Sequence, residues 1–170
     1  LSGEQIRCAL HISKRKCAWM LNNGFIKCQN TGKRTRKYTV QNKYDNTVKK
    51  AKMDGITRTL FGRIRPIPEL ASSNFMQRAF GERAAMNAPI QGTAADIMKL
   101  AMVGVARRFK EEGVRSRITM QVHDEIVVDL LISEREKVEE IVRSEMEGAA
   151  KLSIPLTAEC GVGENWLAAH

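Results

Sequence analysis

An α+β fold, an antiparallel sheet with helices packed on one face, is predicted by three features of the 170-residue sequence. Two strand-like runs flank a tight turn at residues 117–130. Apolar residues recur at helical spacing over residues 92–112 and 134–150. The order strand, two helices, hairpin, helix, strand then suits a sheet with helices segregated to one side.

Taken in chain order, residues 1–43 are the least regular. Basic clusters, Lys14-Arg15-Lys16 and Lys33-Arg34-Thr35-Arg36-Lys37, alternate with short apolar stretches, and Gly24 and Gly32 interrupt any long helix. No clean period emerges, so this segment stays unassigned. From Tyr44 the pattern sharpens. Asn46 can cap a short helix that contains Val48, Ala51 and Met53 and ends at Gly55. Ile56-Thr57-Arg58-Thr59-Leu60-Phe61 has strand composition. Gly62 opens a turn, and Pro66 and Pro68 keep the next stretch extended.

A helix is expected from about Ser73 to Met86, with Phe75, Ala79 and Ala84 on its buried stripe. Asn87-Ala88-Pro89 should interrupt it, since proline cannot donate to the helix ladder. A second helix, from about Gly92 to Glu112, buries Ala94, Ile97, Met98, Ala101, Met102 and Val105, and Gly113 stops it. Arg117–Val122 and Ile126–Leu130 read as two strands of a hairpin. Ser133 and Glu136 form a capping box for the helix that buries Val138, Ile141, Val142 and Met146. Leu156–Val162 reads as the last strand.

Composition narrows the function classes. Hydrophobic residues make up 43% and aromatics 5%, with no apolar run near the ~20 residues that span a bilayer. The N-terminus lacks a signal-peptide pattern, so a cytoplasmic protein with no membrane partner is expected. The net charge of +9 is uneven: residues 1–65 hold 16 Lys or Arg against 3 Asp or Glu, and residues 66–170 hold 12 against 16. A basic front half suits a polyanion, most simply nucleic acid, and equally suits a merely solvated face. Of the four cysteines, Cys8, Cys17 and Cys28 could join His11 around zinc, but the spacing matches no common module, and reduced thiols are expected.

Two clusters carry chemistry. Gln121-Val122-His123-Asp124-Glu125 sets two acids at or beside the hairpin turn. Carboxylates on a strand-anchored turn can hold a hard divalent cation that binds phosphate oxygens; the same residues would also make an ordinary polar turn. Arg83, Asn87 and Gln91 are spaced by four. If helical geometry persists they share a face, offering a cation for phosphate and two amides for minor-groove edges, or else a solvated polar rim.

Together these motifs resemble the C-terminal palm region of family A DNA polymerases, the DNA polymerase I group. The resemblance rests on Thr59-Leu60-Phe61-Gly62-Arg63, on the stretch Glu82–Asp96, on Gln121–Glu125 and on Gly161-Val162-Gly163-Glu164-Asn165-Trp166. It covers residues 44–170, against an unassigned basic segment at residues 1–43. It implies a palm-type sheet and DNA-templated addition of deoxynucleotides in replication and repair. It implies Asp124 as a catalytic aspartate and ligand of a two-magnesium (Mg2+) site, with Glu125 as its acidic neighbour in both respects. His123 is implied to contact the primer strand, Gln91 to read the minor groove of the terminal base pair, and Arg83 and Asn87 to face the template–primer. The implied partners are primer–template DNA and deoxynucleoside triphosphates.

Two family features have no counterpart in the sequence. No Asp-Tyr-Ser-Gln-Ile-Glu-like strand supplies the other metal aspartate. The best match to the fingers helix, Lys33, Lys37, Gln41 and Asp45, fails at its last two positions. The chain alone is therefore expected to be inactive, with the missing polymerase portion as a further partner. A non-catalytic DNA-binding module, or the remnant of a disrupted polymerase gene, is the alternative.

Overall fold

The computed structural model describes residues 4–11, 46–152 and 155–169. The chain divides into two compact units, residues 1–16 with 97–170, and residues 17–96. The boundary expected at residues 43 and 44 does not coincide with this division. The basic clusters at 14–16 and 33–37, Cys17, Cys28 and the attempted fingers match lie outside the described residues.

The unit containing residues 97–170 is built on four strands, β1 (Glu4–His11), β4 (Arg117–Val122), β5 (Glu125–Leu130) and β6 (Thr157–Gly163). They form an antiparallel sheet in the order β4-β5-β1-β6. β1 comes from the segment that periodicity left unassigned. It pairs with β5 on one side, Ile6 opposite Val128, and with β6 on the other, Ile6 opposite Val162. A strand of mixed polar and apolar residues such as Glu4-Gln5-Ile6-Arg7-Cys8-Ala9-Leu10-His11 has no local signature; its two neighbours supply the hydrogen bonds that define it.

One face of the sheet carries the core. Ile126, Val128 and Leu130 alternate along β5 and pack with Ile97, Met98, Ala101, Val105 and Phe109 of the long helix. Val138, Ile141, Val142 and Met146 of the helix Arg135–Gly148 complete it. The apolar stripes read from helical spacing over residues 92–112 and 134–150 are thus the packed faces. Val127, on the opposite face of β5, is also fully buried. β4 pairs with β5 through a bulge, because Ile118 faces Val128 while Met120 already faces Val127. The extra residue, Thr119, donates its hydroxyl to the Val127 carbonyl at 3.2 Å.

The other unit holds a helix at residues 46–54 (α1), the hairpin β2 (Ile56–Arg58) and β3 (Ile64–Pro66), a 3-10 turn at Pro68–Ala71, and the start of the long helix. Val48 and Ala51 are buried, and Met53 is 80% exposed. β2 is shorter than its strand composition suggests, because Leu60 and Phe61 form the turn to β3.

Two helices were expected over residues 73–112; there is one, α2, at Phe75–Glu111, with Pro89 inside it. Proline removes one ladder donor and would normally break the helix. Here Pro89 is buried, and the Thr93 hydroxyl donates to its carbonyl. Tertiary burial and side-chain bonding outweigh the local cost. Phe75, expected on the buried stripe, is 71% exposed beneath the Arg78 guanidinium, and Ala79 and Ala84 are only partly buried. The buried positions are small ones, Gly81, Ala85 and Ala88. A Cβ at Gly81 would lie 3.0 Å from Leu70 N, so small residues admit the neighbouring chain where bulk was expected to fill space.

α2 ends where Gly113 takes φ 66. Val114 N donates to Phe109 O at 2.8 Å and Gly113 N to Lys110 O at 3.4 Å, a Schellman arrangement. The last helix, α3 (Arg135–Gly148), does not start with the Ser133–Glu136 capping box. A 3-10 turn, Ile132–Glu134, precedes it, and the Glu134 carboxylate turns outward. It accepts from Arg115 N at 3.0 Å and from Ser116 N and Oγ at 2.9 and 2.7 Å.

The Arg115 backbone N–H, with Ser116, holds the Glu134 carboxyl below its ordinary range. A depressed carboxylate stabilises the fold above its unfolded pKa and loses that contribution as pH falls through the folded one. Glu134→Ala is expected to lower stability by about 1 kcal/mol at neutral pH, the low end for a charged acceptor because the group is partly solvated. Denaturant melts of both proteins from about pH 6 to about pH 2 should show the gap closing as acid protonates Glu134. A gap that persists unchanged in acid would contradict this assignment.

Cys160 is disulfide-bonded, against the expectation of reduced thiols. Among the described residues no helix is long and apolar enough to cross a membrane.

Candidate functional site

The hairpin β4–β5 closes on two residues, His123 and Asp124, between the register pair Val122 and Glu125. His123 adopts φ 51, the left-handed region, where histidine is more common than bulky residues but still unusual. The Gln121 side-chain amide donates to the His123 carbonyl, two residues on. This local hydrogen bond, the Thr119 bulge and the buried strand Ile126-Val127-Val128 together hold this conformation. Such local strain at a turn is a reason to look there for function.

Asp124 is exposed at the tip, and among the described residues no side chain donates to its carboxylate. Glu125 begins β5 and is half-buried; its Oε2 accepts from Trp166 Nε1 at 3.2 Å. The two adjacent acids therefore differ: one carboxylate is open to solvent, the other is held by an indole.

Trp166 is a site residue that sequence motifs alone did not single out, although it closes the Gly161–Trp166 signature. It reaches Glu125 because the chain after β6 folds back over the strand. Asn165 accepts from Ala168 N at 2.9 Å and from Ala169 N at 3.1 Å through side chain and backbone respectively. A Cβ at Gly163 would lie 2.6 Å from the Ala168 carbonyl carbon, and one at Gly161 would overlap the Ala169 oxygen. The paired glycines are the signal: they mark where backbone lies against backbone.

In the other unit, Arg83, Asn87 and Gln91 are all exposed on continuous α2. Four-residue spacing on an unbroken helix puts them on one side, so the condition on their sharing a face is met. Beside them the β2–β3 tip meets the helix: Arg63 bonds Asp96 and the Gly92 carbonyl, and Leu60 N bonds Thr93 Oγ1.

A magnesium ion needs oxygen ligands, and Asp124 and Glu125 are the oxygen donors at the turn. Among the described residues no group of three or more His, Cys, Asp or Glu could hold a metal. The turn therefore fits a divalent cation as part of a ligand set, one open carboxylate with a braced neighbour.

The sequence profile of DNA polymerase family A matches residues 5–168, which takes in β1 as well as the motif-bearing region. The DNA polymerase I of Caldicellulosiruptor bescii is 43% identical over 157 residues, 92% of this chain and 17% of that protein. That of Pseudomonas aeruginosa is 48% identical over 126 residues, 74% of this chain and 14% of the relative. Among solved structures, the POL domain of Pol1 from M. smegmatis, in complex with DNA primer-template and dNTP, superposes with a TM-score of 0.80 at 28% identity. It covers 98% of this chain and 40% of that one. The chain thus spans 14–17% of the length of these two relatives.

Proposed function

The chain belongs to DNA polymerase family A, and on that premise we propose that it acts as the C-terminal palm of a DNA polymerase I-type, DNA-directed DNA polymerase. The observation that carries this reading is the Asp124 carboxylate, open to solvent on a turn held between two paired strands, with β5 buried behind it.

In this reading Asp124 and Glu125 would hold Mg2+. Bound there, the metal supplies Lewis-acid activation of the primer hydroxyl and neutralises charge at the pyrophosphate. Glu125, anchored by Trp166, keeps the turn's backbone oriented. His123 meets the primer strand beside the turn. Arg83 faces a backbone phosphate of the template–primer, and Asn87 and Gln91 present amides to the duplex. Gln91 donates to minor-groove acceptors, which recur in every base pair and so report pairing geometry rather than sequence. Primer–template DNA and deoxynucleoside triphosphates are the substrates. The family's fingers would bind the triphosphate, and without them and the partner aspartate strand these 170 residues alone do not extend primers.

Duplex binding should be dominated by charge, with affinity falling steeply as salt rises. Replacing Lys33, Arg34, Arg36 and Lys37 together by Ala should weaken binding to all sequences alike and reduce the logarithmic salt slope by up to about 3.6. Anisotropy titrations of a primer–template duplex across salt concentrations measure this. A slope unchanged by the four substitutions would mean that the basic segment is only a solvated face.

A further inference from the structure

The β2–β3 tip is fastened to α2 beside Gln91 by three hydrogen bonds. Leu60 N donates to Thr93 Oγ1 at 2.9 Å. Arg63 donates from Nη2 to the Gly92 carbonyl at 2.9 Å and from Nε to Asp96 Oδ1 at 2.7 Å. The Asp96 side chain is 12% exposed, and its Oδ2 is buried with no partner among the described residues. Arg63 is therefore the cation on which this carboxylate depends. Gly92 makes the approach possible, since a Cβ there would lie 2.6 Å from Thr59 Cγ2.

These ties fall where the helix holds itself least. Pro89 cannot donate to the carbonyl of Ala85, so the ladder lacks one bond in the turn that leads to Gln91. Thr93 closes the gap from the other side. Its hydroxyl donates to the Pro89 carbonyl and accepts from Leu60 N. The residues on the C-terminal side of Gln91 are thus fixed from outside the helix, while Gln91 itself stays exposed.

We infer that Arg63 and Thr93 are positioning residues for Gln91: the β2–β3 tip sets where its amide meets the minor-groove edge of the terminal base pair. The inference rests on the reading of Gln91 in the proposed function. A side chain that must donate to one acceptor needs its backbone held to about half an ångström, and here the external ties supply what the proline removes.

The test is equilibrium binding of this chain to a short hairpin primer–template with guanine or 3-deazaguanine at its recessed 3′ end. 3-Deazaguanine replaces the minor-groove N3 acceptor by C–H and keeps the Watson–Crick edge. The ratio of the two affinities cancels any general loss of phosphate attraction when an arginine is removed. The wild-type chain should prefer guanine by about three- to tenfold, the range of one hydrogen bond. Gln91→Ala should bring the ratio to one. Arg63→Ala should do the same, with no further change in the double variant, and Arg63→Lys should give an intermediate ratio because an ammonium lacks the fork that spans both acceptors. Thr93→Val, which keeps the shape and removes the hydroxyl, is the second variant should Arg63→Ala fail to fold. If Gln91→Ala loses the preference while Arg63→Ala or Thr93→Val, folded by circular dichroism, keeps it in full, the inference is overturned and the Gln91 reading stands. If the wild type shows no preference, or Gln91→Ala retains it, the Gln91 reading fails and the inference falls with it.

Discussion

Asp124→Asn is expected to abolish nucleotide addition in a polymerase reconstituted from this chain and a second polypeptide carrying the partner aspartate strand and the fingers. The substitution keeps size and shape but removes the charge that holds a divalent cation. Loss of metal stabilisation of several kcal/mol corresponds to a rate decrease of about a thousandfold or more. The wild-type chain by itself, with magnesium, primer–template and deoxynucleotides, should give no detectable extension, which sets the baseline. Gln91→Ala should weaken extension without abolishing it, because it removes a positioning contact. Primer-extension rates measure all three. If Asp124→Asn kept more than about a tenth of the rate, the turn would not be the metal site.

The largest expected effect on stability is at Ile141→Ala. Ile141 is 1% exposed on α3 and packs in the core between the sheet, α2 and α3. Removing three carbons there takes away burial and leaves a cavity that rigid neighbours fill poorly, at a cost of about 2–5 kcal/mol. That is a large part of the roughly 5–15 kcal/mol that holds a domain of this size together. Val103→Ala is the control: Val103 lies on α2 but is 69% exposed, so its change should stay within about 0.5 kcal/mol. Urea unfolding of both variants decides the matter, and equal midpoints would show that the α3 face is not a packed core.

Periodicity located the faces that meet in the sheet unit, because α2 after Gly92 and all of α3 bury a single stripe of large side chains. It failed over residues 73–90, where the contact is made by Gly81, Ala85 and Ala88, and where bulky Phe75 faces solvent. Small residues carry no hydrophobic period, so close approach is invisible to it. The capping box failed for a different reason: Glu134, adjacent to Ser133, found three donors at Arg115 and Ser116, far away in sequence.

By itself, then, the sequence determined the α+β class, the hairpin at residues 117–130 with Asp124 at its turn, the core stripes of the two long helical stretches, and the family. These are local patterns or ordered motifs, and each is legible within a few residues. Only the tertiary structure decided the rest. It made β1 a central strand, carried α2 unbroken through Pro89, bound Glu125 to Trp166 and tied Arg63 to Asp96. β1, the Glu125–Trp166 bond and the Arg63–Asp96 tie depend on partners far away in sequence, and the passage through Pro89 depends on burial, none of which exists until the chain has closed on itself.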